Sequence, residues 1–461
     1  MLRFFSVNDP YRLLAAFVIF LLVSLPVFLH DFGMSRTAVY GIVLGQKMWE
    51  GFTPYITLLD QTPILSLWLN QFFFFLAGKS AAAREIIAFS VLLFQGAYLA
   101  VIFIQKKAFE ENTYLPALIF VLLCTLSFDL FSVTPTLLAS GFLLLAINSL
   151  FKEIEFKNYQ DDQVLVTGFY LGLTTLAANS FIIFFFGAWL ILFLFTRSTL
   201  RKHLLFVTGF VFPHLLLLTA YWFFGYAEEL INQYYYYFFH ETEALLKWKE
   251  LLVMSIIPLF FLVVAFFRLT GGSRLTNYQS QLVQMMFLWL LIGFVHLFFA
   301  SELRPQSLLP MFPPLCFLIS HFLLTIQRKR WGEVFLWLML IGIPLYAWLL
   351  ENDKINWVNN ASLYVKTDTE AKRIRALVLE NQNSLGLIYE PATGLMSGKQ
   401  KEALFTNEVT YSKVSKIDEQ LRLGNPVVIV DPNNWMQPFW KHLPQWEKKY
   451  KKIGNYYYLQ P

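Results

Sequence analysis

Between Leu13 and Leu350 the chain passes through one apolar stretch after another, most of them near the length of a bilayer core. This pattern limits what it can fold into more than any motif does. A helix needs about 20 apolar residues to cross the hydrocarbon layer, and in lipid only helices or closed barrels satisfy their own backbone. The runs fall at 13–30, 84–105, 114–130, 135–151, 163–179, 180–196, 203–225, 251–267, 281–300, 307–326 and 331–350, which makes about eleven spans. With 57% hydrophobic residues in 461 and a mean hydropathy of +0.51, the expectation is an α-helical polytopic membrane protein. The first run is too long for a signal-peptide core and no small-residue cleavage site follows it, so it reads as a retained span.

Charge decides the topology. The net +5 comes mainly from Lys and Arg at span ends, which explains it without nucleic acid as a partner. With the N-terminus cytoplasmic, one side collects Arg3, Arg12, Lys106, Lys107, Lys152, Lys157, Arg197, Arg201, Lys202, Arg268, Arg274, Arg328, Lys329 and Arg330. The short turns near Asp129 and Asn179 on the other side carry no Lys or Arg. If Thr62–Ala77 also crossed, every later loop would invert against the positive-inside rule. Thr62–Ala77 is therefore expected to be a re-entrant or interfacial helix. The reading is a multi-pass protein of the cytoplasmic (inner) membrane with an extracytoplasmic C-terminal domain.

Two regions depart from the span pattern. The outer loop 31–83 alternates apolar and polar positions, and Ser35–Glu50 and Thr62–Ala77 read as surface helices separated by Gly51, Pro54 and Pro63. After residue 351 the composition turns polar. Strand candidates at Leu385–Tyr389, Pro426–Val430 and Tyr456–Leu459 alternate with helical patterns at Thr369–Asn381 and Lys416–Leu423, the second ended by Gly424. The expected domains are thus 1–351, a polytopic membrane domain carrying the loop 31–83, and 352–461, a small α/β domain.

Ionisable residues at outer membrane depth are the functional candidates. They include His30, Asp31, Arg36, Asp60, Arg84, Glu85, Asp129, His240 and Arg304. Asp31 and Asp129 both end spans on the outer side, and a carboxylate pair there suits general-base work or a divalent metal, Mg or Mn. Each also reads simply as the place where a span leaves the membrane. Arg84 and Arg304 suit a phosphate, which a guanidinium grips bidentately; pairing with Glu85 and Glu302 is the competing reading. The loop AEELINQYYYYFFHETEALLKWKE, with Tyr236 and His240, offers rings for a sugar or lipid chain, or an aromatic belt. His214, His296 and His321 sit singly in spans and read as packing residues. Cys124 and Cys316 have no metal-ligand company, and the phosphate-loop, GxSxG, HExxH and CxxC patterns are absent from the sequence.

The order of these pieces resembles a known family. A span is followed by a surface helix ending in Trp-Glu-Gly (49–51), then Tyr55, Asp-Gln-Thr-Pro (60–63), an aromatic helix and Ala-Gly-Lys-Ser-Ala-Ala-Ala-Arg (77–84). This is similar to the first outer loop of the GT-C membrane glycosyltransferases, above all the protein O-mannosyltransferase and lipid A aminoarabinose transferase branch. LRPQSLLPMFPP (303–314) resembles their late span, which opens with a basic residue before a Tyr-x-Leu-Pro-x-x-Pro-Pro pattern. Two positions depart. Arg36 and Thr37 stand where those enzymes usually have an acidic pair, and Thr134 where they often have an acid before proline.

The resemblance implies a GT-C-like fold of about eleven spans, with surface helices in the first outer loop. It implies an enzyme that moves a sugar from a polyprenyl-phosphate carrier to a glycan, lipid or protein acceptor at the outer face of the membrane. Asp31 would act as base or acceptor-orienting group, with Asp129 and Asp60 as further acids. Arg84 and Arg304 would hold the carrier phosphate, and Arg36, Tyr55, Glu85, Tyr236 and His240 would line the substrate. The missing acids leave a second reading open: a non-catalytic member of the fold that binds a carrier lipid or serves as a partner in an envelope assembly.

Overall fold

Each of the eleven apolar runs contains helix in the computed structural model, which describes all residues except 6, 8, 30–32, 157–160, 197–198, 237–242, 271–274, 301, 327, 353, 356, 366–374, 380–389, 397, 407 and 461. Among the described residues six helices are long and apolar enough to cross a membrane alone: Ala81–Gln105, Pro135–Ile154, Leu200–Phe223, Asn277–Phe299, Pro305–Thr325 and Arg330–Glu351. The pair Trp248–Met254 and Ile256–Leu269, bent by 68° at its break, makes a seventh if it counts as one span. Tyr11–Pro26, Ile64–Ala77 and Asn179–Phe195 are shorter apolar helices. The run 114–130 is not one continuous helix. Leu115–Leu123 is α-helical, and a 3-10 turn at Phe128–Phe131 follows because the Ser127 hydroxyl accepts from the Asp129 amide and starts a tighter coil.

The chain divides into two compact units. One contains 1–38, 80–217 and 239–364; the other contains 39–79, 218–238 and 365–461. In the first, Asp161–Ala177 and Leu200–Phe223 pack backbone to backbone. A Cβ at Gly168 would stand 2.1 Å from the Phe206 carbonyl oxygen, and one at Gly209 would stand 2.1 Å from that of Leu165. With no hydrophobic effect to drive helices together in lipid, small residues that allow this approach supply the packing. Toward its basic end the unit also buries a Lys202–Glu153 ion pair.

In the second unit the two expected surface helices form at Arg36–Trp49 and Ile64–Ala77; the first begins at the boundary with the other unit. They approach closely where a Cβ at Gly45 would come within 2.3 Å of the Asn70 carbonyl oxygen. The polar C-terminal region forms a five-stranded sheet in the order Glu390–Pro391, Arg375–Val378, Val428–Val430, Tyr456–Leu459, Tyr450–Ile453. The first three strands are parallel and the last two antiparallel additions. Tyr456–Leu459 matches its expected bounds, and Leu385–Tyr389 lies outside the described residues. Arg375–Val378 corrects the helical reading of Thr369–Asn381: Ala376, Leu377 and Val378 are all buried and pair with Val428–Val430, and a short apolar run does not reveal its period. The helix Tyr411–Gly424 includes Gly424 and is ended by Asn425 in the left-handed conformation, φ +40°, a role Asn shares with Gly. Residues 39–79 of the outer loop belong to this unit. Leu59 shares a core with Leu377, Leu395, Ile417 and Ile429, and a Cβ at Gly394 would meet the Thr57 carbonyl oxygen at 2.0 Å.

Candidate functional site

Proline shapes a buried polar cluster in the first unit. Pro305 forces the preceding residue out of helical space, so Arg304 is extended, φ −151° and ψ 165°, ahead of the 3-10 helix Pro305–Met311. A parallel bridge from Glu243–Ala244 fixes Glu302–Leu303 just before it. Pro135 starts the helix Pro135–Phe156, and the Thr134 hydroxyl accepts from the Leu137 amide at 3.3 Å. Three separate turns therefore present polar side chains to one another.

Arg304 is the hub, with a side chain 2% exposed against fully buried Asp129. Its Nε donates to Asp129 Oδ2 at 2.9 Å and its Nη2 donates to Asp129 Oδ1, a bidentate pair. Nη2 also donates to Ser35 Oγ at 2.8 Å, and Nη1 donates to Glu302 Oε2 at 3.1 Å. Thr37 Oγ1 donates to the same Glu302 oxygen at 2.5 Å. Burial works against the guanidinium charge, but the carboxylates of Asp129 and Glu302 outweigh it, so the Arg304 pKa is raised. The Gln306 amide donates to Asp129 Oδ2 at 3.3 Å, while Thr134 donates to the Gln306 side-chain oxygen. Next to Asp129, the Ser127 hydroxyl, the Phe128 amide and the Tyr364 hydroxyl all donate to Glu351 Oε1. Burial, with Glu351 and Asp129 beside it, holds the Tyr364 phenol well above its ordinary pKa.

Two of the three residues at the departing positions thus join this cluster: Thr37 contacts Glu302 and Thr134 contacts Gln306. Of the acids here, Glu302 keeps the most exposure, 32%. The singled-out residues otherwise separate. Asp31 and His240 lie outside the described residues. Arg36 opens its helix and donates its amide to the Leu363 carbonyl, Arg84 is buried near the start of Ala81–Gln105, and Glu85 is half-buried. Asp60 and Tyr55 belong to the second unit. Asp60 accepts from the Tyr40 hydroxyl and the Thr62 amide, and the Tyr55 hydroxyl donates to the Thr62 carbonyl at 2.8 Å. Tyr55 is fully buried between Tyr221 and Tyr234 with φ +62°, and desolvation by burial raises its pKa. Its ring is thus not presented to a ligand in this conformation, whereas Tyr236 is exposed.

Glu302, Ser35, Gln306, Glu351 and Lys401 were not singled out from the sequence as site residues. An acid closing the last apolar run was a usable signal for Glu351. Lys401, from the helix Gly398–Phe405, is pushed down to about 8 by burial, with Asp60 acting the other way.

No family profile matches the chain, and no curated protein matches it by sequence. Solved structures do match it. ArnT from Cupriavidus metallidurans bound to undecaprenyl phosphate aligns with a TM-score of 0.50 and 14% identity, over 76% of this chain and 66% of ArnT. The Archaeoglobus fulgidus oligosaccharyltransferase aligns in its apo form with a TM-score of 0.51 and 9% identity, over 96% of this chain and 73% of that one. The same enzyme tethered to an acceptor peptide containing the NVT sequon gives 0.50 and 10%, over 98% and 74%. The chain spans just under two thirds of the length of ArnT. At these identities the likeness carries the fold. The chain is a multi-pass membrane protein with the GT-C fold of the membrane glycosyltransferases, ending in a small sheet-containing region.

Proposed function

We propose that the protein transfers a sugar from a polyprenyl-phosphate carrier to an acceptor at the outer face of the cytoplasmic membrane. The observation that carries this reading is the GT-C fold shared with an ArnT structure that holds undecaprenyl phosphate. The chemistry needs a base for the acceptor and positive charge for the departing phosphate. Asp31 is the proposed base, with Asp129 and Asp60 as accessory acids; Arg84 and Arg304 supply the charge. The acceptor is a glycan, lipid or protein, approaching beside Arg36, Tyr55, Glu85, Tyr236 and His240.

A second reading has a specific observation in its favour. Asp129 is bound on both oxygens by Arg304, and Arg36, Thr37 and Thr134 stand at the departing positions. A non-catalytic carrier-lipid binder would have this composition. A transfer assay with radiolabelled polyprenyl-phosphate sugars decides between them. Loss of transfer in a folded Asp31→Asn variant supports the enzyme. Full activity in both Asp31→Asn and Asp129→Asn rejects the base assignment, and wild-type protein that binds carrier without transfer favours the second reading.

A further inference from the structure

We propose that Arg304 is the resident cation of the outer cluster, its guanidinium occupying the place between Asp129 and Glu302 that a divalent ion would need. A divalent cation takes six or more oxygen ligands, or keeps several waters around one or two carboxylates. The carboxylates here are already committed. Both oxygens of Asp129 accept from Arg304, and Oδ2 also accepts from the Gln306 amide. Glu302 Oε2 accepts from Arg304 and Thr37. Two carboxylate oxygens of the cluster accept no bond among the described residues, Glu302 Oε1 and the buried Glu351 Oε2; the first belongs to the carboxylate Arg304 already holds, and the second is closed off from the waters such an ion would keep. The donor set therefore does not fit Mg or Mn while Arg304 is in place.

The guanidinium is also held firmly. Ser35 fixes Nη2 from the side, and the extended backbone that Pro305 imposes aims the side chain at Asp129. Four N–H···O bonds to Asp129, Glu302 and Ser35 use four of the five guanidinium hydrogens. The fifth stays on Nη1, the nitrogen facing the half-exposed Glu302. If the sugar-transfer reading holds, the positive charge near the leaving phosphate comes from a fixed side chain rather than an exchangeable ion.

The test is Mn2+ titration of the detergent-solubilised full-length protein, followed by electron paramagnetic resonance. Wild type and Glu302→Gln are expected to give the same titration. Arg304→Ala is expected to gain a Mn2+ site, and Arg304→Ala/Glu302→Gln to lose it again. Mn2+ held by wild type and lost in Glu302→Gln would overturn the proposal, and so would a folded Arg304→Ala that gains nothing. If Arg304→Ala does not fold, the comparison of wild type with Glu302→Gln still decides. The readout is metal binding alone, so it stands apart from whether sugar is transferred.

Discussion

In the first unit the buried Asp129 carboxylate meets a guanidinium on both oxygens. In the second, the buried Asp60 carboxylate meets a tyrosine hydroxyl and a backbone amide, with the Lys401 amine as an electrostatic neighbour. The difference lies in what is left when one partner goes. Without Arg304, Asp129 becomes an uncompensated buried charge; without Asp129, the buried Arg304 keeps only Glu302 as a counter-charge. Without Asp60, two neutral donors and a lysine remain, and the lysine can release its proton. Two buried acids of similar exposure should therefore respond to mutation very differently.

The largest expected effect is in the first unit. Asp129→Asn should destabilise the protein by about 3–5 kcal/mol, the range for breaking a buried pair, as measured by chemical unfolding in detergent. The double variant Asp129→Leu/Arg304→Met should cost less than either single change, because apolar replacement of both partners removes the stranded charge. A double variant as unstable as the sum of the singles would contradict the pairing. Asp60→Asn should cost less, about 1–2 kcal/mol for weakened hydrogen bonds. If it matches Asp129→Asn, the contrast between the units fails. Gly394→Ala, which sets a methyl 2.0 Å from the Thr57 carbonyl oxygen, should cost about 1–3 kcal/mol through backbone displacement.

The smallest effect is a pH dependence. Burial lowers the Lys401 pKa from 10.5 to about 8 in the folded protein. Between about pH 8 and 10.5 the unfolded chain then holds a proton that the folded one does not, so this group makes stability rise with pH in that window. Comparing the thermal midpoints of wild type and Lys401→Met from pH 7.5 to 9.5 checks it: wild type should gain on the variant as pH rises. A constant difference would place the amine in water.

The spans, both surface helices and the strand Tyr456–Leu459 were legible because each carries a local period or length. Arg375–Val378 was not, since four residues with three of them buried fit a helix or a strand equally well. The helix end at Asn425 was missed by one residue because Gly424 offered the stronger prior. The site was half legible. Asp129 and Arg304 both stood out as charged residues at span ends, but nothing local links positions 175 residues apart, so their roles were assigned separately. Glu302 stood out only as a neighbour of Arg304, and the structure adds Thr37 and a bridge to Glu243–Ala244 that set its carboxylate and backbone. The resemblance implies a substrate-lining Tyr55, and no local pattern forecasts that Tyr221 and Tyr234 enclose its ring.

The most direct test of the proposed carrier dependence is mass spectrometry of the lipids that co-purify with wild type in mild detergent. The account predicts a polyprenyl phosphate or its sugar-linked form, above the background of bulk phospholipid and reduced in Arg304→Ala. Bulk phospholipid alone, unchanged between the two proteins and after incubation with added polyprenyl phosphate, would contradict it.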